Sequence, residues 1–499
     1  YGHVGTILGT TASSVTAGSP YLVSFKNIVD DVINDFSSDL ICVGEFQFMA
    51  TGSSDAPTTA NILSFDIFDV DLGANVIFSK DSKFLTHQTT IGGIASTEVG
   101  TVLAHKSVIF ESVTLKVTSA GLLSGTSLGH LRDEGPGTSD DSILIGNDWR
   151  SNIGGSHGGR GGSQSGELAG AEGGYGSYLM PVTMGSGGSS ATSYAGAGGA
   201  AIRVKVTNLQ VDGTITADGV KGTDNSYGAG GGGAGGSILL EVTASMTGTG
   251  IIRSIGGGSS AASSNDANPN SNPGTAGGGG RVALHCDQNL FTGSWQTHGG
   301  KGMRGETREK TDGGAGTTYI DCTNHVKHLI LDNANYENQY NSLITDKDLT
   351  SFEITTLEIK GQARVAFDPE NVASPTPVRV DILHHLGDKT GVLNVLEYTT
   401  MVLRNSNKVI TARVPQESFT TLIPYNELTG SVSTPRSATI EPLWNIVINE
   451  LGTLVTPDHL TVNSTYLHVK GRLSGPRYVH VTKQVQPRYA VGQQVVVLP

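Results

Sequence analysis

Forty-five of the chain's 69 glycines lie between Gly154 and Gly316, and they stand at the foot of a repeated strand. Gly198-Gly199 lead into Ile202-Arg-Val204-Lys-Val206. Gly235-Gly236 lead into Ile238-Leu-Leu240-Glu-Val242. Gly279-Gly280 lead into Val282-Ala-Leu284-His-Cys286, and Gly313 to Gly316 into Thr318-Tyr-Ile320-Asp-Cys322. Each run alternates apolar with other residues, the period of a half-buried strand. The strand starts are 36, 44 and 36 residues apart, a spacing that marks repeat architectures. Such a chain is a scaffold first, and its function has to be argued from what the scaffold carries.

A second limb follows each strand. Leu209-Gln-Val211-Asp-Gly213-Thr-Ile215 follows the first, Met246 to Ile255 the second, and Phe291-Thr-Gly293-Ser-Trp295 the third. One unit therefore reads as strand, short turn, second strand and glycine-rich loop. The same limb recurs at Leu115-Lys-Val117, Leu357-Glu-Ile359 and Leu467-His-Val469. The expected fold is all-β: an elongated parallel β-solenoid with ordered glycine-rich segments, flanked by small sandwich-like β modules. Four segments are expected: 1–88, an N-terminal β module with an extended arm; 89–325, the glycine-rich solenoid; 326–430, a β-rich continuation; and 431–499, a C-terminal β module. The one helix candidate is Asn27 to Phe36. Glycine-rich sequence is ordinarily flexible linker, but apolar strands at a nearly fixed period favour order. Ordered polyglycine must pair its N–H and C=O groups, so extended glycine segments packed side by side are expected, as in polyproline-II packing.

Composition narrows the function classes. With a net charge of −13 and 15% charged residues, the chain lacks the Lys/Arg clusters that nucleic-acid binding rests on. No apolar stretch approaches the ~18 residues of a membrane helix. The chain begins at Tyr1, which points to a removed leader or a start within a longer protein. Polar, Gly/Ser/Thr-rich and Lys-poor β sequence points to the cell surface or the extracellular space.

Cys286 and Cys322 occupy the same column of the repeat. If coils stack in register, neighbouring strands ~4.8 Å apart bring these residues within disulfide range. The alternative is two free thiols in one core column. Cys42, in Leu40-Ile-Cys-Val43, reads as a core residue. Asn463-Ser464-Thr465 is a sequon, so Asn463 is a candidate glycosylation site. Ser374-Pro-Thr376-Pro is a pattern that O-glycans favour.

The ordered series Gly154-Gly-Ser-His157-Gly-Gly-Arg160-Gly-Gly162, Tyr175-Gly-Ser177, Gly228 to Leu240, Gly277 to Leu284, Gly313-Gly-Ala-Gly-Thr317, Leu331-Asp332-Asn333 and Gly387-Asp-Lys-Thr390-Gly391 resembles the glycine-rich repeat region of large secreted or surface proteins of protists and some bacteria. The resemblance covers roughly residues 110–400. It implies an extracellular, filament- or surface-layer-type structural role, with no assigned chemistry.

The residues that carry chemistry are few. No Gly-Lys-Ser/Thr follows a glycine tract, which excludes a Walker loop. His157 and Arg160 could bind an anion or a sugar, or fill hydrogen bonds to glycine-loop carbonyls; the second reading is preferred. Asp66, Asp69 and Asp71 with Gly73 and Asn75 loosely resemble a calcium loop, but the spacing is not that of an EF-hand. They read as a solvated acidic turn, as do Asp30-Asp31 and Asp140-Asp141. β-Helical polysaccharide lyases and hydrolases need converging carboxylates or a carboxylate with Lys/Arg. Asp332 near Lys327, and Asp388-Lys389, are the possible members, and they do not converge in sequence. No catalytic residue, metal or cofactor is therefore expected.

The expected function is that of a structural subunit that polymerises head-to-tail with identical subunits by β-strand addition. A glycan-binding adhesin, or an enzyme of the β-helix class, is the alternative. The donor strands are read at the termini: Val4, Ile7 and Leu8 in one arm, and Val495, Val496, Val497 and Leu498 in the other.

Overall fold

The computed structural model describes residues 82–97, 108–138, 153–162, 174–190, 195–225, 228–259, 274–302, 311–338, 351–367, 378–388 and 390–395, together with the strands named below elsewhere between 21 and 481. Among the described residues the chain is all-β and without helix. The candidate helix Asn27 to Phe36 lies outside them.

The spine is a 14-stranded sheet. In spatial order its strands are Leu40–Cys42, Asn61–Val70, Ser82–Ile91, Val108–Val117, Ala201–Val211, Ser237–Thr247, Arg281–Asn289, Thr317–Cys322, His325–Asp332, Ser351–Lys360, Val378–Gly387, Thr399–Leu403, Thr453–Val455 and Arg472–Ser474. Between these the chain visits a second sheet. In the first half this has eight strands: Tyr21–Lys26, Glu45–Thr51, Asn75–Phe78, Ile94–Thr97, Leu122–Ser124, Thr214–Thr216, Ile251–Arg253 and Ser294–Gln296. In the second half a five-stranded sheet takes its place: Ser342–Ile344, Arg364–Phe367, Gly391–Val395, Trp444–Ile448 and Leu467–Val469. Ser437–Ile440, His459–Val462 and Tyr478–Val481 form a separate three-stranded sheet. A small hairpin pairs Asp224–Asn225 with Gly228–Ala229.

The repeat register read from the sequence is the pairing register. Ile202 lies opposite Ile238, Ile238 opposite Val282, and Val282 opposite Thr318. The turn between the limbs falls later than the sequence pattern placed it. Leu209 to Val211 prolong the first strand past an irregularity between Val206 and Asn208, and the turn comes at Asp212-Gly213. The 11-residue strand is continuous because Val204, Val206, Leu209 and Val211 all bury in one core.

The strands of segment 1–88 do not form a separate sandwich. They pair in parallel within the spine and the eight-stranded sheet. Of the strands in 431–499, Trp444–Ile448, Thr453–Val455, Leu467–Val469 and Arg472–Ser474 extend the spine and the five-stranded sheet, while the other three form the three-stranded sheet. The division expected at 88 thus coincides with no break in the sheets, and that at 431 with the start of the three-stranded sheet only; strand alternation persists where the glycine tracts that drew attention to it do not.

Every neighbouring pair in the four larger sheets is parallel except one. Thr317–Cys322 and His325–Asp332 form an antiparallel hairpin through Thr323-Asn324. Thr323 and Asn324 donate backbone N–H groups to Cys286 O and Asp287 O, both at 3.1 Å. Asn324 Oδ1 accepts from Asn289 N at 2.9 Å. Beyond this turn the spine strands run the opposite way, and the core changes face. Successive residues of a strand point to opposite faces. Ile320 belongs to the core that holds Ile202, Val204, Leu240, Leu284 and, from the eight-stranded sheet, Leu123, Ile215 and Ile252. Its neighbour Tyr319 belongs to the core that holds Leu329, Leu357, Ile359 and, from the five-stranded sheet, Ile344, Val365 and Phe367. Geometry explains the coupling. Crossovers between parallel strands keep one hand; a coil that reverses its strands while climbing the same way keeps that hand only by returning over the opposite face.

Cys286 and Cys322 are joined by a disulfide at this reversal, with Cα atoms 4.4 Å apart. It closes a loop of sequence separation 36, for which chain-entropy arguments give roughly 2–4 kcal/mol of stabilisation. The double variant Cys286→Ser/Cys322→Ser is expected to lose about that much in chemical denaturation under non-reducing conditions, while wild type with reductant falls to the same level.

Candidate functional site

The part of the molecule that departs most from an ordinary β fold is the glycine-rich belt. Between Leu122–Ser124 and Thr317–Cys322, each passage from the eight-stranded sheet to the spine runs through a glycine-rich segment. These segments bond to one another laterally. Gly233 donates to Val220 O (2.9 Å), Gly257 to Gly233 O (2.8 Å), Gly277 to Gly257 O (2.8 Å), Gly300 to Gly277 O (2.8 Å) and Gly313 to Gly300 O (3.0 Å). One glycine per segment thus both accepts and donates, and the line zigzags from segment to segment. A third rank comes from the long insertion between Leu122–Ser124 and Ala201–Val211. Gly155 donates to Gly232 O and Gly278 to Gly155 O, both at 2.9 Å, and Gly159 donates to Gly279 O at 2.7 Å. This meets the requirement that buried backbone groups be paired without a conventional sheet. The ranks approach so closely that a Cβ on Gly277 would overlap the Gly233 carbonyl.

Polar side chains anchor the belt. His157 is fully buried. Its Nδ1 lies 2.7 Å from Gly235 O and its Nε2 2.8 Å from Thr183 Oγ1. A carbonyl can only accept, so Nδ1 carries the proton and Nε2 accepts from the threonine. Burial, with the positive charge of Arg281 second, lowers the His157 pKa to about 3, so the ring is neutral. Tyr175 packs on it, ring centres 4.7 Å apart, and donates its hydroxyl to Met184 O at 2.5 Å. Burial holds that hydroxyl well above its ordinary pKa. Arg281 is also fully buried. It donates from Nε to Tyr175 O at 3.0 Å, from Nη1 to Thr317 Oγ1 at 3.3 Å and from Nη2 to Leu343 O at 3.4 Å. It thereby ties the insertion, the spine and the five-stranded sheet together. Asn333 does similar work, accepting from Gly299 N and donating to Gly313 O, both at 3.0 Å. Arg160 serves through its carbonyl, which accepts from Gly314 N at 2.7 Å.

Of the charged residues weighed as catalytic candidates, Asp332 sits in a cross-strand ladder. Lys360 Nζ lies 2.8 Å from Glu358 and 3.8 Å from Asp332, and His328 lies 3.0 Å from Glu358. Burial works to raise the Glu358 carboxyl, but the adjacent His328 ring and the Lys360 charge outweigh it and bring the pKa to about 2. Asp388 accepts from Gly361 N at 2.8 Å and Asp332 from Ala334 N at 2.8 Å, both holding turns. Lys327 is exposed, and Lys389 lies outside the described residues. Across the first half, Arg203 pairs with Glu241 at 2.5 Å and Lys205 with Glu111 at 3.5 Å. These pairs tie one rung to the next.

Among the described residues no three His, Cys, Asp or Glu side chains are placed to hold a metal ion. Of the loose calcium-loop residues, Asp66 and Asp69 are in the strand Asn61–Val70 and Asp71 lies outside the described residues. Asn463 and the terminal residues Val4, Ile7, Leu8, Val495 and Val497 also lie outside them. Cys42 ends the strand Leu40–Cys42, with its backbone opposite Val70. Sequence reasoning missed Arg281 and Tyr175 as anchors, since nothing local marks an arginine for burial. It missed the hairpin too, because Thr323-Asn324 is not one of the dipeptides that mark a two-residue hairpin turn. No protein-family model matches the chain, and neither a curated protein nor a solved structure matches it significantly.

Proposed function

We propose that this chain is a non-enzymatic structural subunit of an extracellular fibre or surface assembly. In this reading its two alternating sheets are the walls of an elongated parallel β-solenoid, and identical subunits join head-to-tail by β-strand addition. The glycine belt carries the reading. Its buried polar groups, His157, Arg281 and Asn333, are spent on backbone carbonyls and amides of neighbouring segments, which is the use a load-bearing scaffold makes of them. A spine of 14 strands at ~4.8 Å per step is roughly 60 Å long. The disulfide Cys286–Cys322 accords with an oxidising compartment, and attached glycans, at Asn463 among other positions, belong to the same reading. Ends of repeat arrays offer strand edges to a further chain, and strand addition gains affinity from main-chain hydrogen bonds. A heterologous contact that does not close gives an open filament.

The test is electron microscopy of the purified full chain beside a variant lacking residues 1–19, the preferred donor arm. Full-length protein is expected to form filaments, and the truncated protein to remain a folded monomer. Full-length protein that stays monomeric over a wide concentration range counts against the reading. Filaments from the truncated form move the donor role to the C-terminal strand.

A further inference from the structure

The reversal at Thr323-Asn324 constrains how two copies can stack. We infer that successive subunits are joined with a half-turn about the stacking axis, added to the sheets' own twist, so that two sheets and not one continue across each joint. This rests on the reading of the chain as an end-joined subunit and specifies its partner surface as the opposite end of a second copy.

The argument is topological. At the N-terminal end the last strands of their sheets among the described residues are Leu40–Cys42 in the spine and Tyr21–Lys26 in the eight-stranded sheet. At the C-terminal end they are Arg472–Ser474 in the spine, Leu467–Val469 in the five-stranded sheet and Tyr478–Val481 in the three-stranded sheet, which has no counterpart among the described residues at the N-terminal end. One antiparallel pair separates the two halves, so the spine strands at the two ends run in opposite directions. The eight- and five-stranded sheets also lie over opposite faces of the spine, since Ile320 packs towards one and Tyr319 towards the other.

Stacked without rotation, the next copy would bring Leu40–Cys42 antiparallel to Arg472–Ser474. Its Tyr21–Lys26 would stand on the wrong face to meet Leu467–Val469, and only the spine would continue. A half-turn about the stacking axis inverts strand direction and face together. Leu40–Cys42 then runs parallel to Arg472–Ser474, as in every spine pair but one. Tyr21–Lys26 lies on the side that carries Leu467–Val469, and the core stays on one face through the joint. Twice as many sheet edges are satisfied, and open edges are what a stack end most needs to cover.

The experiment is cross-linking between differently tagged full-length chains, using a short flexible bis-maleimide. A Cys42→Ser/Ser24→Cys chain is mixed with a Cys42→Ser/His468→Cys chain. In parallel, wild type with its native Cys42 is mixed with a Cys42→Ser/Arg472→Cys chain, which reports any head-to-tail spine contact. The half-turn joint is expected to give both the 24–468 and the 42–472 products. The 42–472 product without the 24–468 product means stacking without rotation and overturns the inference, while the fibre reading stands. A 24–24 product means head-to-head joints and likewise overturns it. Chains that stay monomeric and give no product overturn the fibre reading, and this inference with it.

Discussion

Replacing Gly277 by alanine is expected to cost about 3 kcal/mol and to open the glycine belt locally. The added methyl would overlap the carbonyl carbon and oxygen of Gly233, which are backbone atoms and cannot rotate away. Overpacking of that kind costs ~1–3 kcal/mol, the upper end applying where the neighbour cannot yield. Gly277 also donates to Gly257 O and accepts from Gly300 N, so displacing it strains two links of the inter-coil line. Gly258→Ala is the matched control. The methyl there would approach Lys301 O at 3.2 Å, so the segment needs to give only slightly. The smaller entropy of the unfolded chain offsets that by about 0.4–1 kcal/mol. Denaturation midpoints should separate the two variants clearly. Equal midpoints would mean that the belt is not held by close approach of its segments.

Acid should act through His157. Its pKa falls from 6.5 to about 3 in the folded protein, so the unfolded chain takes up the proton first. Stability is therefore full above pH 6.5 and declines as pH falls towards 3. The slope approaches ~1.4 kcal/mol per pH unit within that window. Glu358, held at about pH 2 in the fold, adds a loss in the same direction, but only below the ordinary carboxylate range. The interval from pH 6.5 to 5 thus reports the histidines, of which His157 is joined by His130 and His384, both also lowered by burial. His157→Gln keeps a donor for Gly235 O and an acceptor for Thr183 without a titrating ring. Its stability should be lower at neutral pH and should slope less steeply than wild type over that interval, the remaining slope belonging to His130 and His384. Parallel curves for the two proteins would place the acid sensitivity elsewhere.

Much of the architecture was legible in the chain because the repeat leaves a periodic record. Ile202, Ile238, Val282 and Thr318 are equivalent in sequence and opposite one another in the sheet. The common column of Cys286 and Cys322 follows from the same period. The glycine tracts announced ordered close packing, since only a residue without Cβ tolerates the separation between Gly277 and Gly233. Strands such as Tyr21–Lys26 and Glu45–Thr51 were legible only as β. They carry the alternation but no glycine tract, and so were read as a module of their own.

What the sequence determined by itself is local or periodic: strand alternation, coil spacing, the cysteine column and the demand for a glycine belt. These depend on side-chain size and on residues a fixed number apart. The tertiary structure alone decided the rest. It turned the chain at Thr323-Asn324, moved the core to the other face of the spine, and buried Arg281 where three segments distant in sequence meet. Those outcomes depend on which faces come together once the strands pair into sheets. Alternation fixes that a strand has two faces, but either face can become the inside.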